Sequence, residues 1–170
     1  ILALRDAFAA LDGLVATCAF ALSKSVSDRL NGIVARHEAI ESGHFRGEGS
    51  AKGGGAVQLS NGGSVDGLPH GDGGELLRDR FGGLVEHLSE LEDPRERALV
   101  YFAAATRSQF YFDGNKRTAR LMTAGLLMSS GFDAINIPHA RRLEFNHALD
   151  VLFETDDASE LLRFLVSCAN

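Results

Sequence analysis

Leu121-Met122-Thr123-Ala124-Gly125-Leu126-Leu127-Met128 is apolar on nearly every side. A helix without a polar face has to be surrounded by other elements, so this segment predicts the buried centre of a helical bundle. Immediately upstream the chemistry reverses. Gln109-Phe110-Tyr111-Phe112-Asp113-Gly114-Asn115-Lys116-Arg117-Thr118-Ala119-Arg120 sets an acid, a glycine, an amide and three cations at the entrance of the same helix, which closes at Gly131.

Backbone N–H groups at a helix entrance are unpaired and point outward, so an anion can sit there. Gly114 allows the backbone to curl against a phosphate, in the manner of an anion-binding nest. Arg117 and Arg120 are three apart and share a helix face from which both can clamp one polyphosphate. Asp113 is placed to hold a Mg²⁺ that bridges phosphate oxygens, since Mg²⁺ takes one or two carboxylates plus substrate oxygens. Asp-Gly-Asn is also ordinary turn and capping chemistry. Capping leaves unexplained why Lys116, Arg117 and Arg120 occupy the first turns, where the macrodipole disfavours cations unless an anion is bound. The segment therefore reads as a phosphate site.

The chain's 170 residues suit one domain, 1–170, and 45% hydrophobic content suits a globular core. A net charge of −6 argues against general nucleic-acid binding. Six cations, Arg107, Lys116, Arg117, Arg120, Arg141 and Arg142, are available locally to a nucleotide instead. Cys18 and Cys168 lie far apart in apolar surroundings and read as reduced, buried thiols rather than a disulfide or metal framework. No apolar run reaches bilayer length and no basic segment precedes an apolar one at the start, so a cytoplasmic location without membrane contact is the default. The oligomeric state is left open, as is whether a chain beginning at Ile1 is a fragment.

Periodicity predicts helices over Leu2–Leu22, from about Asp28 to Ile40 with Ser27 as cap, and over Glu75–Leu91 despite Gly82-Gly83. Asp93-Pro94 opens a helix toward Ser108. Two more run from about Ala140 to Phe153 and from about Ala158 to Ser167, with Asp156 or Asp157 as cap of the last. Between Gly43 and Gly74 stand twelve of the nineteen glycines. Within that region Ala56–Ser60 and Ser64–Leu68 flank Asn61-Gly62-Gly63 as two short strands around a turn, although such composition also fits a flexible linker. The fold class is all-α with a small β-hairpin.

Phe112-Asp113-Gly114-Asn115-Lys116-Arg117-Thr118-Ala119-Arg120 resembles the signature of the Fic/Doc (Fido) domain family, His-x-Phe-x-(Asp/Glu)-(Gly/Ala)-Asn-(Gly/Lys)-Arg-x-x-Arg. The resemblance implies a Fic-type helical bundle in which the Gly-rich region 43–74 is a flap that aligns a target segment by strand addition. It makes Asp113 the metal ligand, Gly114 and Asn115 the anion-hole residues, and Arg117 and Arg120 the phosphate clamps. It implies Mg²⁺ and ATP, and transfer of AMP to a hydroxyl of a target protein; Doc-type members move the terminal phosphate. Two departures stand out. Gln109 occupies the position of the family's general base, a His, and an amide accepts no proton at neutral pH. Lys116 stands where AMP-transferring members usually carry Gly, as in Doc-type members. These departures leave an enzyme of reduced activity, a nucleotide-binding pseudoenzyme or interaction module, and a Doc-like phosphotransferase as the alternatives. His70 and His139 are the candidates for a substitute base, with nothing in the sequence tying either to Gln109. Ser27-Asp28-Arg29-Leu30-Asn31-Gly32 is similar to the family's inhibitory pattern (Ser/Thr)-x-x-x-Glu-(Gly/Asn), in which the Glu binds the second motif Arg. Asn31 lacks the charge to compete for Arg120.

Overall fold

A computed structural model describes residues 2–169. Among these residues seven helices and one short hairpin follow in the order α1 (Leu2–Ala16), α2 (Lys24–Val34), β1 (Val57–Gln58), β2 (Ser64–Val65), α3 (Glu75–Glu90), α4 (Pro94–Ser108), α5 (Asn115–Met128), α6 (Arg142–Thr155) and α7 (Ser159–Cys168). Single 3₁₀ turns at Asp72–Gly74 and His139–Arg141 lead into α3 and α6. The fold is all-α apart from the hairpin, as the sequence predicts.

The apolar run does become the centre. In α5, Leu121, Met122, Thr123, Ala124, Gly125 and Leu127 are buried. Helix α4 lies along α5; α1 and α2 cover α5, while α3, α6 and α7 pack around α4. Gly125 is small because Phe20 occupies its neighbourhood: a Cβ there would stand 2.2 Å from Phe20 Cε2. Phe20 reaches that position because α1 stops at Ala16, six residues short of the predicted end. The chain then turns through Cys18, whose φ is 54°. Cys18 is consequently exposed and Cys168 half-buried, which corrects the expectation of two buried thiols.

Asp93 caps α4 by accepting the Arg95 N–H, with Pro94 in the first turn as predicted. Helix α2 starts earlier than the sequence indicates: Ser23, not Ser27, is its cap and accepts the Val26 N–H, and the helix ends at Val34. Ser27 is thereby drawn inside α2 and buried. Ala158 stands at the N-cap position of α7 and has no capping side chain, while Asp157 Oδ1 accepts the Ser159 N–H at 2.8 Å.

The hairpin pairs Val57 with Val65 and Gln58 with Ser64, shorter than the predicted strands. Its tip rests on α6: the Ser60 N–H and hydroxyl both donate to the Asp150 carboxylate, Asn61 Nδ2 donates to Glu154 Oε1 at 2.8 Å, and Leu59 is buried. Beneath the flap, Phe45, Phe81, Phe110 and Tyr111 form one aromatic cluster. Phe45 stacks on Phe110 with centroids 4.8 Å apart and meets Tyr111 edge-on at 5.1 Å. Residue 45 from the loop, residue 81 from α3 and residues 110–111 from the motif thus share one core.

Candidate functional site: the loop between α4 and α5

Helix α4 ends where Gln109 adopts a left-handed conformation, φ 49° and ψ 57°. This reversal sends residues 110–114 across the end of α4 and returns them to start α5. The side chain of Gln109 is buried, and both ends of its amide are hydrogen-bonded. Its Nε2 donates to the Thr106 carbonyl at 2.7 Å and its Oε1 accepts from Asn115 Nδ2 at 3.0 Å. Asn115 also grips the loop, accepting the Tyr111 N–H at 2.8 Å and donating to the Tyr111 carbonyl at 2.7 Å. Its side chain is therefore committed inward, and what it offers an anion is its backbone N–H.

The entrance of α5 is open. No side chain among the described residues caps it, and the N–H groups of Asn115, Lys116 and Arg117 have no hydrogen-bond partner among them. Gly114 makes the bend with φ 76°. A Cβ there would press on Ala35, Asn31 and Val34 at 3.1 to 3.3 Å, so glycine serves both the backbone and the contact with α2. Asp113 accepts the Gly114 N–H at 2.5 Å, and its half-exposed carboxylate lies 3.6 Å from the Arg117 guanidinium. One exposed carboxylate beside an unpaired set of N–H donors fits a hard cation that arrives carrying phosphate oxygens. Among the described residues no cluster of three or more His, Cys, Asp or Glu forms a metal cage of protein ligands alone.

The cations are placed unequally. Arg117 pairs with Glu38, 2.5 Å away in the turn after α2, and this partner raises the Arg117 pKa while lowering that of Glu38. Arg120 makes no hydrogen bond or ion pair among the described residues. It is exposed at the rim of a crevice with Phe8, Leu99, Phe102, Ile135 and Leu165, whose partial desolvation of the guanidinium lowers its pKa. Lys116 is exposed and likewise unpaired among the described residues. Arg107 is taken by Asp156 and Arg141 by Glu144, so neither joins the motif cations. His70 is set against Gly47 and contacts the Gly71 carbonyl, and His139 starts the turn before α6. The structure shows neither in contact with Gln109.

Helix α2 supports the loop through two polar groups of contacts, one at Asn31 and one at Ser27 and Asp28. Asn31, buried, donates to the Asp113 carbonyl at 2.9 Å and to Thr118 Oγ1 at 3.1 Å, and accepts the Gly43 N–H at 2.9 Å. It fastens the loop to α2 and is not bonded to Arg120. The Tyr111 hydroxyl donates to the half-buried Asp28 Oδ1 at 2.9 Å and lies 2.7 Å from the buried Ser27 Oγ. Burial pushes the Tyr111 pKa well up, and also raises that of Asp28 despite its partner Lys24.

Three residues of this site escape a reading of the sequence: Glu38, Thr118 and Arg46. Glu38 and Arg117 are 79 positions apart, and only the tertiary packing of α2 on α5 brings them together. Arg46 carries a faint signal, a cation next to Phe45 at the edge of a glycine-rich region. The signature's aromatic position falls on Tyr111, whose hydroxyl is what reaches Ser27 and Asp28.

Comparison with known proteins agrees with this architecture. The chain is 32% identical over 134 residues, 77% of its length, to the protein adenylyltransferase Fic of Drosophila erecta. Its fold superposes on Fic-1 (residues 134–508) of C. elegans with a TM-score of 0.73, covering 98% of this chain and 46% of that one at 22% identity. A Fic family protein from Desulfovibrio desulfuricans G20 gives a TM-score of 0.75 at 15% identity, covering 96% of this chain and 49% of that one. No family model matches the chain. Fold, signature loop and relatives together define the class: the chain belongs to the Fic/Doc (Fido) domain family. It spans 24% of the length of the Drosophila erecta relative.

Proposed function

We propose that this chain is a Fic-type nucleotide-binding domain that holds ATP with Mg²⁺ at the entrance of α5 and transfers AMP to a protein hydroxyl slowly or not at all. The observation that carries this reading is the state of Gln109. Its amide oxygen and nitrogen are hydrogen-bonded to Asn115 and Thr106, and an amide has no basic lone pair for a hydroxyl proton. Transfer of AMP forms a bond between the target oxygen and the α-phosphorus, breaks the bond to pyrophosphate and releases the hydroxyl proton. Without a base at position 109 that proton loses the acceptor that the family's His supplies, a loss worth about a hundred- to ten-thousand-fold in rate.

Binding requires less. The N–H groups of Asn115, Lys116 and Arg117 face an anion, Arg117 exchanges Glu38 for phosphate, and Arg120, one turn further on, has no ion-pair partner among the described residues to give up. Asp113 is the carboxylate for Mg²⁺, which when bound neutralises phosphate charge. The flap hairpin is the element on which a target segment adds as a strand. The exposed ammonium of Lys116 at the α5 entrance favours a second reading, phosphate transfer of the Doc type.

Calorimetry with ATP and Mg²⁺, and incubation of a lysate with α- or γ-labelled ATP, test both readings. The expected results are binding by the wild-type chain, weakened in Arg117→Ala, and transfer of α-label about a hundredfold or more faster in Gln109→His than in wild type. Wild-type transfer as fast as that of Gln109→His overturns the disabled-base reading, and transfer of γ-label in place of α-label selects the second.

A further inference from the structure

Arg46 is buried, and no carboxylate pairs with it among the described residues. Burial lowers its pKa. A guanidinium in such a place has to be compensated by carbonyl dipoles, and here they come from three separate stretches of chain. Nε donates to the Gln109 carbonyl at 2.6 Å, Nη1 to the Gly54 carbonyl at 3.1 Å, and Nη2 to the Leu68 carbonyl at 2.7 Å and the Ser108 carbonyl at 3.5 Å. Gly54 and Leu68 are the two feet of the flap; Ser108 and Gln109 are the end of α4. The backbone of residue 46 also donates its N–H to the Phe110 carbonyl at 2.8 Å.

The glycines around it are shaped by this contact. A Cβ at Gly55 would stand 2.5 Å from Arg46 Cζ. At Gly67 it would stand 2.7 Å from the Gly55 carbonyl oxygen, 2.9 Å from Gln109 Cβ and 3.0 Å from Arg46 Nη2. Gly55 and Gly67 therefore approach the guanidinium more closely than a side chain permits, and Gly67 also approaches Gln109 Cβ.

We infer that Arg46 is a positioning residue: its fork fixes the feet of the flap to the backbone of position 109, and so sets where a strand added to the flap lies relative to the nucleotide at α5. The inference rests on the nucleotide reading only for its functional meaning; the fixing of the feet is testable by itself. A lysine keeps the charge but offers a single ammonium in place of the planar fork that spans both feet.

Amide hydrogen exchange of the full chain, wild type against Arg46→Lys, with ATP affinity measured in parallel, tests it. Exchange at residues 54–58 and 64–68 is expected to accelerate about tenfold or more, while α4 and α5 keep their protection and the ATP dissociation constant changes less than about threefold. Gly67→Ala, which leaves Arg46 intact and intrudes from the flap side, is expected to give the same localised acceleration and carries the test if Arg46→Lys does not fold. Flap exchange unchanged in the folded variant, or acceleration spread evenly over α4 and α5, overturns the inference. If wild type fails to bind ATP, the nucleotide reading falls and the exchange comparison still decides the role of Arg46.

Discussion

The Glu38–Arg117 pair joins an exposed carboxylate to a half-buried guanidinium, and ion pairs this open to solvent contribute little to folding. Its effect falls on ligand binding, because an incoming phosphate has to displace the carboxylate. Glu38→Gln is therefore expected to tighten ATP binding several-fold in calorimetry and leave the melting temperature nearly unchanged; unaltered affinity contradicts competition at Arg117. Asn31 behaves in the opposite way. Asn31→Ala removes the partner of the Asp113 carbonyl, the buried Thr118 hydroxyl and the Gly43 N–H, at a cost of about 1–3 kcal/mol in denaturant unfolding. Asp28 adds a pH dependence. Burial raises its carboxyl above the ordinary 3.8, against the pull of Lys24 and the Tyr111 hydroxyl. A carboxyl whose folded value is raised binds its proton more tightly in the native state, so this group adds stability as pH falls toward and through that value. The urea midpoint of wild type relative to Asp28→Asn should accordingly rise as pH is lowered from neutrality; a pH-independent difference counts against it.

Among the elements, those closed by short-range chemistry were legible in the sequence. Asp93-Pro94 opens α4 and Gly131, at φ 82°, follows the end of α5, because a cap and a left-handed glycine act within a few residues. The start of α2 was not legible: Ser23 and Ser27 are both acceptable caps, and the choice is made by burial of Ser27 beneath Tyr111. The end of α1 was missed because Phe20 leaves the helical track to fill the space above Gly125, a contact that periodicity cannot see. In the site, the turn at Gly114 into α5 was readable from residues 113 to 120. The inward commitment of Asn115 and the pairing of Arg117 depend on partners distant in the chain. The flap tip illustrates the same limit, since Asp150 lies 90 positions from Ser60. Asp150→Ala removes the acceptor of both Ser60 donors, and limited proteolysis between residues 57 and 65 is expected to accelerate while α3 to α5 stay protected. A cleavage rate equal to that of wild type contradicts the anchoring.

Across the whole molecule, the aromatic cluster of Phe45, Phe81, Phe110 and Tyr111 joins the flap's approach, α3 and the motif loop into one core. Phe45→Ala should cost about 3–5 kcal/mol in guanidinium unfolding and lower protection in all three regions together. A loss confined to the loop before the flap argues against a shared core. That common core holds the loop through Phe110 and Tyr111, next to position 109, and the conformation at position 109 has an evolutionary consequence. The backbone there is left-handed, a conformation that His populates more readily than most residues with a side chain. His and Gln codons differ by one base. The molecule therefore stands a single nucleotide change from having an imidazole on a scaffold already bent to receive it, so that gain and loss of a base at this position are reachable within a lineage without rebuilding the fold.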